Sequence, residues 1–188
     1  MSRKKLLLHI CCAPDATVGI ERLSPDFEVE GFYYNPNIHP AEEYGRRLDA
    51  MRRLSSLVNF HFTEGEYDTS AWFDEMRGLE NEPEKGLRCE LCIRERLRST
   101  ASMARENDFD AFAAVLTISP KKNALLINRL GALAAEEFGV DYIPTDLKKK
   151  DGFKKSVELS REYGLYRQNY CGCEFSKRKV EARRGKGG

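Results

Sequence analysis

The chain predicts an α/β fold, a parallel sheet covered by helices on both faces. Three observations predict it. Short β-type runs alternate with longer helical patterns along the whole chain. The first run, KKLLLHI, carries the apolar stretch of a buried strand. Loops rich in breakers or charge, such as NPNIHP and NEPEKGLR, separate the segments.

The elements follow in order. KKLLLHI (4–10) reads as strand one and ATVGIERL as a short helix. FEVEGFYY (27–34) alternates into strand two, and NPNIHP breaks it. AEEYGRRLDAMRRLSSLV places Tyr44, Leu48, Met51 and Leu54 on one helical face. NFHFT (59–63) is strand three. TSAWFDEMRGLE is helical, with Thr69 or Ser70 as its cap. A long helix starts near Cys89 and runs to about Glu106. DAFAAVL (110–116) is strand four, and ALLINRLGALAAEEFG is an amphipathic helix ended by Gly139. VDYIPTDL is strand five and FKKSVELSREYG a further helix. The remainder, with the CGC segment, reads as irregular chain ending in a mobile RRGKGG. The sum is a Rossmann-like sheet in a single domain spanning 1–188, whose basic C-terminal segment (148–188) completes the site.

The chain has 188 residues and 41% hydrophobic content, enough for a core without disulfide staples. Its leading apolar run is about five residues, short of the roughly 7–15 of a secretory signal. No run approaches the ~20 apolar residues of a membrane span. These features predict a cytoplasmic protein with no membrane partner. There, reduced thiols point to metal or redox chemistry rather than to disulfides. The net charge of +1 hides an imbalance. Residues 148–188 hold thirteen Lys/Arg against five Asp/Glu, a balance of +8, and the rest sums to −7. A basic terminal third suits a phosphate-rich partner, or is a solvated basic face.

Six cysteines fall in three tight pairs: Cys11-Cys12, Cys89-x-x-Cys92 and Cys171-x-Cys173. Thiolates at such spacing hold zinc or iron–sulfur clusters. Parallel α/β sheets bind ligands outside the carboxyl ends of their strands. Cys11 and Cys12 follow strand one at that edge, and the Cys89 pair opens a helix there. The third pair can fold over the same rim. Gly172 would allow the tight turn that two sulfurs on one centre need. Six thiolates exceed the four of one simple cluster, which implies a second metal, a bridged site or a redox role.

Asp15 follows the first pair. It is either a helix N-cap or a carboxylate ligand or proton donor beside the thiolates. Thr117-Ile118-Ser119-Pro120-Lys121-Lys122-Asn123 is an anion-site candidate between a strand and a helix. Asn35, Asn37 and His39 share the same rim. Tyr33, Tyr34, Tyr166 and Tyr170 are candidates for stacking on a base. His9 and His61 lie inside strand patterns and read as core or surface residues. No G-x-G-x-x-G is present, which argues against a bound dinucleotide.

Five segments together carry a resemblance: LLLHICCAPDA, GFYYNPNIHPAEEYGRR, RCELCIRERL, LTISPKKN and QNYCGCEFS. In them the chain resembles QueH, the iron–sulfur epoxyqueuosine reductases, over nearly its whole length. The resemblance implies a fold similar to the PP-loop/nucleotide α-hydrolase-like domain. Cys11-Cys12-Ala13-Pro14-Asp15 stands where PP-loop enzymes carry a serine- and glycine-rich loop, which speaks against ATP use. It implies reduction of epoxyqueuosine to queuosine in the anticodon of tRNA, with an external electron donor. It also implies a 4Fe-4S cluster beside an iron or other divalent metal. The ligand pool is then Cys11, Cys12, Asp15, Cys89, Cys92, Cys171 and Cys173, undivided between the two centres; Asp15, the catalytic candidate, or a metal-bound water would protonate the leaving oxygen. The competing readings are a structural-zinc tRNA-binding protein and a PP-loop-like tRNA sulfur transferase.

Overall fold

The computed structural model describes residues 3–184. The terminal residues beyond Arg184, most of the expected mobile tail, lie outside them. Five strands form one parallel sheet in the order β3-β2-β1-β4-β5. They are β1 (Lys4–His9), β2 (Phe27–Tyr33), β3 (Phe62–Glu64), β4 (Ala111–Ala114) and β5 (Asp141–Tyr142). β1 lies at the centre, pairing Leu6–His9 with Val29–Phe32 of β2 on one side and Ala111–Ala114 of β4 on the other. Burial on both faces is why Leu6, Leu7 and Leu8 are consecutive and fully inside.

The chain winds outward from β1 to β3, then returns to β4 on the opposite side. α1 (Ala13–Leu23) packs against α2 (Ala41–Val58) and α6 (Gly152–Glu162) on one face. α4 (Leu87–Glu106) and α5 (Ala124–Phe138) pack together on the other. Two short-range helices complete the fold: α3 (Thr69–Glu75) and α7 (Glu174–Arg184). The reversal of winding lies between β1 and β4, so the crevice at their carboxyl ends is the topological switch point. No helix among the described residues is long and apolar enough to cross a membrane.

Local chemistry explains where the elements differ from expectation. α1 begins at Ala13 rather than Ala16, because Pro14 suits a first turn. Asp15 therefore sits inside that turn; Cys12 holds the cap position and makes no side-chain cap bond. α3 is capped by Asp68, whose carboxylate accepts from the Ser70 and Ala71 amides, and not by Thr69 or Ser70. β3 starts three residues later than expected, since Asn59 closes α2 in the left-handed region at φ 49°. After Ala114 the chain tightens into a 3-10 turn over Val115–Ile118. β5 is reduced to two residues, with Pro144 ending any ladder beyond it. The CGC segment leads into a helix, α7, where irregular chain was expected.

On α2 the expected face holds: Leu48, Met51 and Leu54 are buried, and Tyr44 packs against them.

Candidate metal centre

β1 delivers Cys11 and Cys12 to the switch point, both buried. The first turn of α1 brings Asp15 back towards them. Donor atoms of Cys11, Cys12 and Asp15 all lie within 4.8 Å of one another. Cys11 Sγ is 3.8 Å from Asp15 Oδ2. A hydrogen bond from Cys12, then the Lys122, Arg96 and Arg47 charges, bring the Cys11 thiol down to about 5 against its burial. Cys12 moves the other way, pushed up by that same bond to Cys11, by burial and by Asp15. Burial, and then the Cys11 charge, push the Asp15 carboxyl up to about 7. Two thiols and a carboxyl thus compete for protons in a space fit for one cation.

The other four cysteines stand outside that close-set group. Cys89 and Cys92 occupy the first turns of α4 and so share a helix face. Cys171 is exposed and Cys173 buried. Burial raises the Cys89 thiol, with the neighbouring Cys171 and Cys173 adding to it. Burial likewise raises Cys92 and Cys173, and each also registers Cys171. Cys92 and Cys173 pack with Trp72 and Met76 in a small core of their own. Trp72 is 3% exposed, and its buried indole N–H has no hydrogen-bond partner among the described residues.

A buried strut holds the terminal pair in place. Arg47, 2% exposed, donates from Nη1 to the Cys171 carbonyl (2.9 Å) and from Nη2 to the Tyr170 carbonyl (3.1 Å). Its Nε donates to Glu43 Oε1 at 2.8 Å. The His39 amide donates to the Gly172 carbonyl at 2.8 Å. Gly172 takes φ 131°, and a Cβ there would press on Ile38 and Arg47 at 3.0 and 3.1 Å. Only glycine fits this turn without strain.

Asn35 and Asn37 are buried at this rim, each with an unpartnered side-chain oxygen. Asn35 Nδ2 donates to the Ile10 carbonyl at 2.8 Å, bracing the chain just before Cys11. The Thr117–Asn123 loop serves structure more than anion binding. Thr117 Oγ1 meets Thr145 Oγ1 at 2.7 Å, and the Asn123 side chain takes the first free amides of α5. Its lysines divide: Lys121 is exposed, while Lys122 is half-buried and registers the charges of Cys171, Cys11 and Asp15.

Among the tyrosines, Tyr33 is wholly buried and Tyr34 stacks on Phe32 at 5.7 Å, so both are packing residues. Tyr166 and Tyr170 line a cavity of about 380 Å³ with Arg46 and Lys177. His9 is buried and bonded to the Tyr34 carbonyl, and His61 is exposed near Glu30, as their strand positions suggest.

Sequence reasoning missed Glu43, Arg47, Trp72 and Arg96. Three of them left a signal. Glu43 and Arg47 are four apart on a helix, as are Cys92 and Arg96, so each pair shares a face. Trp72 left none.

A family model described as Epoxyqueuosine reductase QueH matches residues 6–179. A relative of that name from Streptococcus pyogenes serotype M1 is 41% identical over 180 residues, covering 93% of this chain and 71% of the relative. One from Thermotoga maritima is 36% identical, covering 91% of this chain and 89% of the relative. Among solved structures, the U34-tRNA thiolase NcsA from Methanococcus maripaludis with its [4Fe-4S] cluster aligns at a TM-score of 0.56. At 16% identity it bears on the fold alone; the match covers 94% of this chain and 62% of the thiolase. The chain thus shares the thiolase's overall fold, here a five-stranded parallel α/β sheet.

Proposed function

Because the chain belongs to the epoxyqueuosine reductase QueH family, we infer that it reduces epoxyqueuosine to queuosine in the tRNA anticodon, the last step of queuosine formation. The observation that carries the chemistry is the close grouping of Cys11, Cys12 and Asp15 at the switch point, with four further cysteines whose charges reach one another. Cys89, Cys92, Cys171 and Cys173 would hold a 4Fe-4S cluster, which takes four thiolates. Cys11, Cys12 and Asp15 would hold an adjacent iron or other divalent ion. Three protein ligands leave a coordination position open, as a catalytic metal needs. The close-set donors and their competition for protons support this division.

The reaction converts an epoxide, two electrons and two protons into an alkene and water. When bound, the cluster and the ion supply single electrons and Lewis-acid stabilisation of the developing oxyanion. An external reductant must replenish the electrons. The chain's own groups handle protons and position. Lys122 holds an ammonium proton in the crevice beside Cys11 and Asp15. Asp15 offers two carboxyl oxygens, one for a cation and one for the leaving oxygen. Arg47 fixes the Cys171–Cys173 turn that closes the second donor set. Residues 1–188 act as one unit, with segment 148–188 contributing that turn and a basic surface for tRNA. Six free thiols suit the reducing cytoplasm.

The test is anaerobic reconstitution, iron and sulfide analysis, then turnover on epoxyqueuosine-containing tRNA with a chemical reductant. A brown protein that yields queuosine is expected. A colourless, sulfide-free zinc protein without turnover would return the structural-zinc reading. ATP-dependent transfer of sulfur to tRNA would return the sulfur transferase.

A further inference from the structure

Arg96 sits one helical turn beyond Cys92 on α4, so both side chains leave the helix on one face. It is 3% exposed. Its Nε donates to the Cys92 carbonyl at 3.0 Å, and no carboxylate pairs with it among the described residues. A buried guanidinium without a counter-ion carries a large desolvation penalty. The charges that reach it are those of cysteines. Burial alone would lower its pKa, yet Cys92, Cys171, Cys11 and Cys89 raise it. These sulfurs come from both donor sets. The remaining neighbours are no substitute: His9 is buried neutral, held down to about 3, and Lys122 is another cation.

Cysteines that ligate a metal do so as thiolates, so a loaded site sets anions one helical turn from this unpaired, buried guanidinium. We infer that Arg96 is a counter-charge shared by the two donor sets, a positioning residue whose partner is the metal-loaded site. This rests on the metal reading above and deepens it. The guanidinium lowers the cost of collecting thiolates at both sets. It also favours the reduced, more negative state of a bound cluster.

The experiment is cobalt(II) titration of anaerobic metal-free protein, read by thiolate-to-metal absorption, for wild type, Arg96→Lys and Arg96→Gln. Arg96→Gln should bind on the order of tenfold more weakly, as expected for one charge within about 10 Å at an effective dielectric of about 20. Arg96→Lys should recover most of that loss. After cluster reconstitution, the midpoint potential of Arg96→Gln should fall below wild type. Melts of metal-free protein give the contrasting readout: Arg96→Gln should melt no lower than wild type, since it removes an unpaired charge. Arg96→Met serves in the same scheme if the glutamine variant does not fold. Unchanged affinity and potential would overturn the inference. So would a lower metal-free melt with unchanged cobalt affinity, which is the signature of a plain structural role. Wild-type protein that takes neither cobalt nor cluster overturns the metal centre as well; normal wild-type loading with an indifferent Arg96→Gln overturns the Arg96 inference alone.

Discussion

Arg47 Nη1 donates to the Cys171 carbonyl at 2.9 Å, joining residues 124 positions apart. One interior guanidinium ties the middle of α2 to the turn that carries Cys171 and Cys173. The same group holds Glu43, 5% exposed, in a buried ion pair.

Replacing Arg47 therefore breaks two things. Arg47→Met leaves Glu43 buried and unpaired, and about 3–5 kcal/mol of stability should go with it. The double variant Arg47→Met/Glu43→Gln should regain part of that stability in urea unfolding. It should not regain metal content, because the Cys171 and Tyr170 carbonyls still lack their strut. Full metal loading in the double variant would show that the turn holds itself.

The two donor sets predict different losses. Serine at Cys89, Cys92, Cys171 or Cys173 should abolish the visible absorption and most of the sulfide of a reconstituted cluster. Serine at Cys11 or Cys12 should leave that absorption largely in place and remove turnover. Sulfide counts on all six variants check this; equal losses at every cysteine would mean one undivided centre.

Asp15 sits inside the first turn of α1, so Asp15→Asn removes no cap. Its folded pKa of about 7 lies above the ordinary carboxylate value near 3.8. A raised pKa means the protonated form favours the fold. That contribution is complete below about 3.8 and fades as pH climbs through about 7. Metal-free wild type should lose stability across this window, and Asp15→Asn should flatten the loss. Asparagine lacks the negative charge for a cation, so the variant should melt as high as wild type or higher at pH 7.5 without metal. It should also lose the second metal and most turnover. Full activity with full metal content would make Asp15 a structural residue.

The basic surface is testable through salt. Lys149 and Lys150 are exposed, whereas Lys148 donates to the Lys122 carbonyl at 2.9 Å and braces that loop. Lys149→Ala/Lys150→Ala should weaken tRNA binding and reduce the log–log salt slope by about 1–2, since fewer counterions are released. Turnover at saturating tRNA should be nearly unchanged. An unaltered slope would remove these lysines from the interface.

The sequence by itself determined the parallel α/β class, the order of strands and helices, and the placing of Cys11 and Cys12 at the carboxyl edge. Those follow from local periodicity and from a rule of topology, both written in short windows of residues. Gly172 was legible for the same reason, since a tight C-x-C turn demands it. Only the tertiary structure decided that Asp15 lies within the helix and against Cys11, because Pro14 can begin a helix or precede one. The close grouping of Cys11 and Cys12 with Asp15, apart from the other cysteines, was also beyond the sequence. The seating of the CGC turn depends on long-range packing, through a strut to Arg47 across 124 positions. Arg96 was only faintly visible, through its spacing from Cys92. In sequence it is one charged residue in an arginine-rich helix, and its meaning comes from burial among sulfurs contributed by β1, α4 and the CGC turn.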